Sequence, residues 1–440
     1  MIKKINFKII FSIIILHLII FFELNPYFFN AVGFIIFILY NMFLFFYYPT
    51  KILENFPYML SLIPMLIGNF LLEFNKNFIP STEKIGYING TFLRNLFIYL
   101  LFLEILFLPL KYYKKEKALK INTKIIEIII LVCMFVLYSY FLKSGIPLLK
   151  GIHRTIYFES APYYINFLKG RLNFVSLVLG YLFFKTNKKR YLLYFFSIIF
   201  YFLLCSIKGG DLIGAIWYFS LPILLTINFN KNIDKMKMIK KIRLILVSFF
   251  IFIFIVIAYA YQKTENYNKE TTSFEKIIER IESAGQVWWY FNDSNQIEAK
   301  YRHDKFLDNF NIKKSKFEKG MNQLMTEIIP KEKLVELRKE GARYYSLANG
   351  FPAIGYYHFK YFGVFLLIFI TGYFIYKIKI FVLKACLSDD ILSFLFLAII
   401  LEVTARIVAQ GDIQLLLEKR TVFVLLLMGS YKIIKLGVRK

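Results

Sequence analysis

Cysteine is scarce: there are three in 440 residues, Cys133, Cys205 and Cys386, each in or beside a hydrophobic run. None has a partner in a polar segment, so neither a disulfide framework nor a thiolate metal site is indicated. The zinc signature HExxH and spaced Cys/His clusters are missing, as are a Walker loop and a dinucleotide fingerprint. Acid is short too, with 29 Asp and Glu against 56 Lys and Arg. Such a balance suggests nucleic acid, but the basic segments are short and carry no recognition motif, so no nucleic-acid partner is expected. Long polar segments are also lacking, with a single exception, Gln262 to Pro352.

What fills the rest is oil. Hydrophobic residues make up 58% and aromatics 20%, with 51 Phe and 32 Tyr, above the roughly 45–50% apolar share of a soluble domain. Runs such as Ile9–Phe22, Phe34–Tyr48 and Leu244–Tyr259 are too long and apolar for a surface helix. A bilayer core asks for about 20 such residues per helix. Spans are expected near residues 6–22, 28–48, 57–75, 91–110, 123–142, 171–185, 190–207, 210–228, 243–261, 354–376, 385–407 and 421–436. The chain therefore reads as an all-α, polytopic integral membrane protein of about twelve transmembrane helices. Residues 1–261 hold the first nine, 262–352 form a large outer helical loop, and 353–440 hold the last three. Met1–Lys4 and the run behind it lack a small-residue cleavage site and read as a retained first helix.

Charge sets the orientation. Basic residues gather in Lys111–Lys124, Lys185–Arg190, Lys231–Arg243, Lys377–Lys384 and Lys432–Lys440, alternate loops that the positive-inside rule assigns to the cytoplasm. Both termini then fall on the cytoplasmic side of the membrane, and Gln262–Pro352 falls on the outer side. Within it, Phe274, Ile277, Ile278 and Ile281, and again Phe317, Met321, Leu324 and Ile328, recur at helical spacing. Lys331–Gly341 reads as a further helix with a glycine stop. Trp288 and Trp289 suit a membrane interface.

Candidate chemistry clusters on that outer side. The segment Lys143–Arg171 holds Lys143, Lys150, Arg154, Lys169 and Arg171 against one acid, Glu159. Such an excess runs against the positive-inside bias and suits a bound phosphate, which arginine grips bidentately; lipid headgroups are the alternative. His153 beside it is either a proton carrier or an inert loop residue. Ser206–Asp211 joins two apolar runs through paired glycines and carries Lys208. The stretch from Arg343 through Tyr344, Tyr345, Gly350, Pro352, Tyr356 and Tyr357 to His358 mixes glycine, proline and polar aromatics. Aromatic faces and hydroxyls suit sugars; an interfacial belt is the alternative. Within the spans, His17, Arg94, Glu104, Glu402 and Arg406 are costly to expose to lipid, and the last two are spaced to pair on one helix.

The Gly145-Ile-Pro-Leu-Leu149 turn followed by Arg154, the turn Lys208-Gly-Gly210, and Gly350-Phe-Pro-Ala-Ile-Gly355 running into Tyr361-Phe-Gly363, set in a many-helix chain with one large outer loop, resemble the oligosaccharide repeat-unit polymerases (Wzy-type O-antigen polymerases). The resemblance implies a GT-C-like helical fold and the joining of undecaprenyl-pyrophosphate-linked oligosaccharides, with a chain-length regulator as a further partner. It implies a role for outer-loop arginines, matched here by Arg154, Arg280 and Arg343; with Arg171 and Lys208 from the basic outer segments these are the candidate pyrophosphate ligands, and Tyr344, Tyr345, Tyr356 and Tyr357 are the candidate sugar contacts. Lys208 departs from the arginine the resemblance leads one to expect. Glu159, Glu282 and His358 are the candidate bases, since the acceptor hydroxyl must lose a proton. No cofactor or metal is called for if cations stabilise the leaving pyrophosphate. An O-antigen ligase shares these features. A transporter or flippase of lipid-linked glycans, and a structural scaffold, are the readings from other classes.

Overall fold

The computed structural model describes residues 2–75, 90–110, 123–150, 154–205, 209–227, 303–311, 318–328 and 350–437, together with 240, 244, 278, 281–285, 287, 288 and 314. Among the described residues there is no strand. The helices run in chain order as α1 (Ile2–Ile20), α2 (Pro26–Tyr47), α3 (Pro49–Glu54), α4 (Phe56–Asn75), α5 (Thr91–Leu106) and α6 (Thr123–Ser144). Then come the short α7 (Pro147–Lys150), α8 (Arg154–Glu159) and α9 (Tyr163–Lys169), followed by α10 (Leu172–Thr186), α11 (Lys189–Leu204) and α12 (Gly209–Thr226). After the polar stretch, which contributes α13 (Gly320–Ile328), the chain closes with α14 (Ala353–Leu387), α15 (Ile391–Gln410) and α16 (Lys419–Gly437).

Among the described residues, five helical stretches are long and apolar enough to cross a membrane, or six if the bent pair α9–α10 counts as one span. They are residues 26–47, 56–74, 124–150, 353–387 and 391–410. Outward helix faces are oily: Ile128, Val132 and Phe135 on α6, and Leu193, Phe196 and Phe200 on the shorter α11, are all exposed. Water would not tolerate apolar patches of that extent on a monomer, whereas lipid does. The count differs from the twelve expected because helices such as α5 and α11 are shorter or more polar than the apolar runs suggested. The expected span at 243–261 and the helix at 331–341 lie outside the described residues. The span expected at 354–376 continues to Leu387, and Lys379, read as part of a basic loop, is fully buried within it.

The chain divides into two compact units. The first comprises residues 1–109, 260–378 and 400–426. Aromatic stacking ties α2, α4 and α5 together: Phe34 lies on Phe70 at 4.1 Å, and Phe92 meets Phe70 edge-on at 5.3 Å. Pro26 in the first turn and the Asn25 side chain, accepting from the Phe28 N–H at 3.1 Å, start α2.

The second unit comprises 110–259, 379–399 and 427–440. Its centre is the α10–α12 pair. A Cβ on Gly180 would overlap the Phe219 backbone, so only glycine permits that approach. Phe195 of α11 stacks on Phe219 at 4.2 Å, and Tyr181 meets Phe394 of α15 at 5.0 Å.

Candidate functional site

One end of the first unit is polar inside. The end of α4, the start of α5 and the start of α2 meet there. Gly90 precedes α5 in a left-handed conformation and offers no capping side chain. Glu73 of α4 takes over that task, accepting the Phe92 N–H at 2.8 Å, and Asn30 donates to its other oxygen at 2.6 Å. An acid at a helix N-terminus satisfies an orphan donor and the helix dipole together. Sequence reading passed over Glu73.

Around this cap the polar groups are not satisfied. Asn69 lies one turn before Glu73 on α4, and Asn95 one turn after Thr91 on α5. Both asparagines are 1% exposed, and neither amide atom of either finds a hydrogen-bond partner among the described residues. The Thr91 hydroxyl and the Asn30 carbonyl oxygen are in the same state. Leaving a buried amide unpaired costs about 1–3 kcal/mol, so three residues of this kind in one helix pair are a marked expense. The detectable signal was polar residues at i, i+4 spacing within apolar helices.

One described turn of the polar stretch packs against this end. Residues 281–285 form a helical turn against α4, where Gly68 and Gly285 meet backbone to backbone. A Cβ on Gly68 would overlap the Ile281 carbonyl oxygen, and one on Gly285 would sit 2.6 Å from the Asn69 N and 2.9 Å from its Oδ1. Glu282 is on this turn and is buried. Trp288, expected at the interface, is instead buried and lies 6.0 Å from Tyr356, which meets Tyr361 edge-on at 4.9 Å. Arg94 ends this row. It donates to the Tyr361 hydroxyl at 3.2 Å and lies 5.7 Å from the centre of that ring.

A second polar knot holds the start of α14. The helix is broken at Phe359 and Lys360, and Lys360 takes a positive φ of 55°. Gly355 and Gly363 touch backbone to backbone on either side of the break, so the chain doubles back before it continues. His358 is 1% exposed; its Nε2 lies 3.2 Å from Asn309 Nδ2, and the Phe306 ring covers it at 5.3 Å. Asn309 Oδ1 accepts the Gly320 N–H at 2.7 Å, and Asp412 Oδ1 accepts the Met321 N–H at 2.9 Å. Gly411 packs on the Gly350 backbone. Burial pushes the Asp412 carboxyl up, while the Met321 N–H and Gln414 hold it down.

Of the residues named from sequence, Glu282, Tyr356, Tyr357 and His358 thus belong to the first unit, and Tyr357 is buried. Arg280, Arg343, Tyr344, Tyr345 and Lys208 lie outside the described residues, as do His153 and the side chain of Arg154. In the second unit Glu159 is exposed at the end of α8, and the Arg171 guanidinium rests 5.0 Å from the Phe167 ring centre. Lys150 donates to the Ser144 carbonyl at 2.7 Å, and Lys169 lies 3.9 Å from the Phe158 ring centre. Glu402 meets Arg420 at 3.4 Å, because the turn at 411–417 brings α16 back alongside α15; the expected partner, Arg406, bears instead on Asp412.

The sequence profile of a family of unknown function (DUF6418) matches residues 314–425. That segment contains Gly320, Met321, Gly350, His358, Gly411 and Asp412, most of the second knot, and stops short of Glu73, Asn69 and Arg94. No curated protein and no solved structure matches the chain.

Proposed function

We propose that the protein is a membrane glycosyltransferase that polymerises undecaprenyl-pyrophosphate-linked repeat units at the outer face of the bacterial inner membrane. On this reading the fold is GT-C-like, with about twelve spans, and both termini are cytoplasmic. The observation that carries it is the row Arg94, Tyr361, Tyr356 and Trp288, with Glu282 buried on the turn at 281–285 that packs on α4 in the same unit. A guanidinium grips phosphate, aromatic faces and phenols take sugar rings, and a buried carboxylate accepts a proton.

The reaction balances without another reactant. The acceptor sugar hydroxyl attacks the anomeric carbon of the donor. A carbon–oxygen bond forms there, and the bond to the pyrophosphate oxygen breaks. The hydroxyl proton passes to Glu282, and undecaprenyl pyrophosphate leaves with the bonding pair, its new charge met by Arg94 and by cations such as Arg280 and Arg343.

Deletion of the gene followed by glycolipid analysis tests this. Surface glycans one repeat long are the expected result. Undecaprenyl-linked polymer left unattached indicates the ligase reading, and repeat units trapped on the inner leaflet indicate a flippase. Glycans of normal length and attachment overturn all three.

A further inference from the structure

The reaction above uses Arg94, Glu282 and the aromatic row. It leaves unexplained why α4 and α5 bury Asn69, Thr91 and Asn95 with no partner among the described residues. The chemistry of the unpaired atoms narrows what belongs there. Each asparagine leaves both a two-hydrogen donor and a carbonyl acceptor open, whichever way the amide is turned. Thr91 adds a group that both donates and accepts, and Asn30 adds an acceptor. A metal ion would satisfy the oxygens and strand the two amide nitrogens. An anion would satisfy the nitrogens and strand the oxygens. Groups that donate and accept at once satisfy both, and a hydroxyl does this.

The four residues are held, not loose. Asn30 is oriented by its bond to Glu73, which in turn is fixed by the start of α5. Asn69 lies packed against Gly285, whose missing side chain leaves room for its amide. Thr91 and Asn95 share one face of α5, one turn apart, and Arg94 is the next residue round that helix.

We infer that Asn30, Asn69, Thr91 and Asn95 form a hydroxyl-binding subsite that takes a sugar ring of the lipid-linked glycan. The choice of a sugar over water alone rests on the proposed reaction. The subsite reads hydroxyl positions through neutral amides, while Arg94 beside it reads phosphate charge. It therefore sets which repeat unit is accepted, and its residues position the ring without touching the bond that breaks.

Purified full-length protein in nanodiscs provides the test. Its melting temperature is measured with the lipid-linked repeat unit extracted from a strain lacking the gene, and with undecaprenyl pyrophosphate bearing no sugar. The wild type is expected to be stabilised further by the sugar-bearing lipid. Asn69→Leu, Asn95→Leu and the double variant should melt higher than wild type without ligand, because an unpaired amide has been replaced by an apolar group. They should lose the sugar-dependent increment, with affinity for the glycolipid falling roughly tenfold per amide. Asn95→Ala removes the amide without adding bulk and serves if leucine fails to pack. Equal stabilisation by the two lipids in the wild type, or an increment that survives in the double variant, overturns the subsite and leaves the amides to water. Glycan length in the deletion strain is scored separately. Normal glycans there sink the polymerase reading, whereas the nanodisc measurement decides the sugar site by itself.

Discussion

The two units treat their polar groups differently, although the second also buries Asn173 Oδ1 without a partner among the described residues. In the second, four of the described cations end on a ring or an acid. Lys169 and Arg171 cover aromatic rings, Lys185 pairs with Asp389, and Arg190 reaches Glu127 at 2.7 Å. Hydroxyls there reach backbone carbonyls, Tyr138 to Ser197 at 2.7 Å and Tyr157 to Gly145 at 3.0 Å. In the first unit, helices of the same oiliness bury amides that have no partner among the described residues, with the turn at 281–285 packed against Asn69. Satisfied polar groups stabilise a fold. Unsatisfied ones in a helix pair that otherwise packs well are where stability has been given up, and that is a mark of a binding site. The lesson is that a charge excess visible in sequence, such as Lys143–Arg171, is a poorer guide to a site than a hydrogen-bond deficit visible in structure.

The contrast is open to attack. The largest effect is expected from Arg94→Ala, which should lower polymer formation on the order of a hundredfold, as loss of a charge-stabilising donor does, with membrane abundance unchanged. Arg171→Ala should cost only about 0.5–1 kcal/mol of stability, the worth of an exposed cation over a ring, and leave the glycan profile alone. If Arg94→Ala polymerises normally while Arg154→Ala or Arg171→Ala does not, the chemistry belongs to the second unit and the comparison is inverted.

Next comes the turn at 281–285. Gly68→Val should force α4 away from residues 281–285 and destabilise the protein by about 1–3 kcal/mol, read as a lower melting temperature in detergent. Gly210 of α12 faces open space, so Gly210→Ala should instead stabilise by about 0.5–1 kcal/mol. Equal responses at the two glycines would mean that this turn is not seated on α4.

The smallest effect is a slope. The Asp412 carboxyl is raised by burial, so the folded protein holds a proton that the unfolded chain releases near about pH 3.9. Its contribution is fully present below that value and is lost as pH rises through the raised one. Asp412→Asn should flatten this fall in melting temperature while its carbonyl keeps the bond from Met321. An unchanged slope would remove Asp412 as its source.

The membrane-helix character was legible because twenty-residue apolar runs have few other uses. The boundaries were less so. Lys377, Lys379 and Lys384 looked like the end of a helix, yet lysine is a good helix former and α14 runs through all three. The pairing of Glu402 with Arg420 depends on a turn that no local pattern announces. For the site, Arg94 stood out as a charge in an apolar run. Asn69, Glu73, Thr91 and Asn95 did not, because neutral amides and one acid near helix ends look like ordinary capping residues. Gly68 and Gly285 were invisible, since what matters there is an approach between segments over two hundred residues apart.

The second knot also sets an order of assembly. Asn309 waits 49 residues for His358, and Met321 waits 91 residues for Asp412. During synthesis Asn309 and Met321 are made before either partner exists. Closing loops of that length costs entropy that is repaid only when α14 and α15 arrive. The second knot therefore closes last: in a nascent chain stopped short of residue 412, the turn at 281–285 can already meet α4, while Met321 still lacks Asp412. Final closure of the knot is thereby tied to the synthesis of α15 and the turn behind it, a form of quality control written into the connectivity.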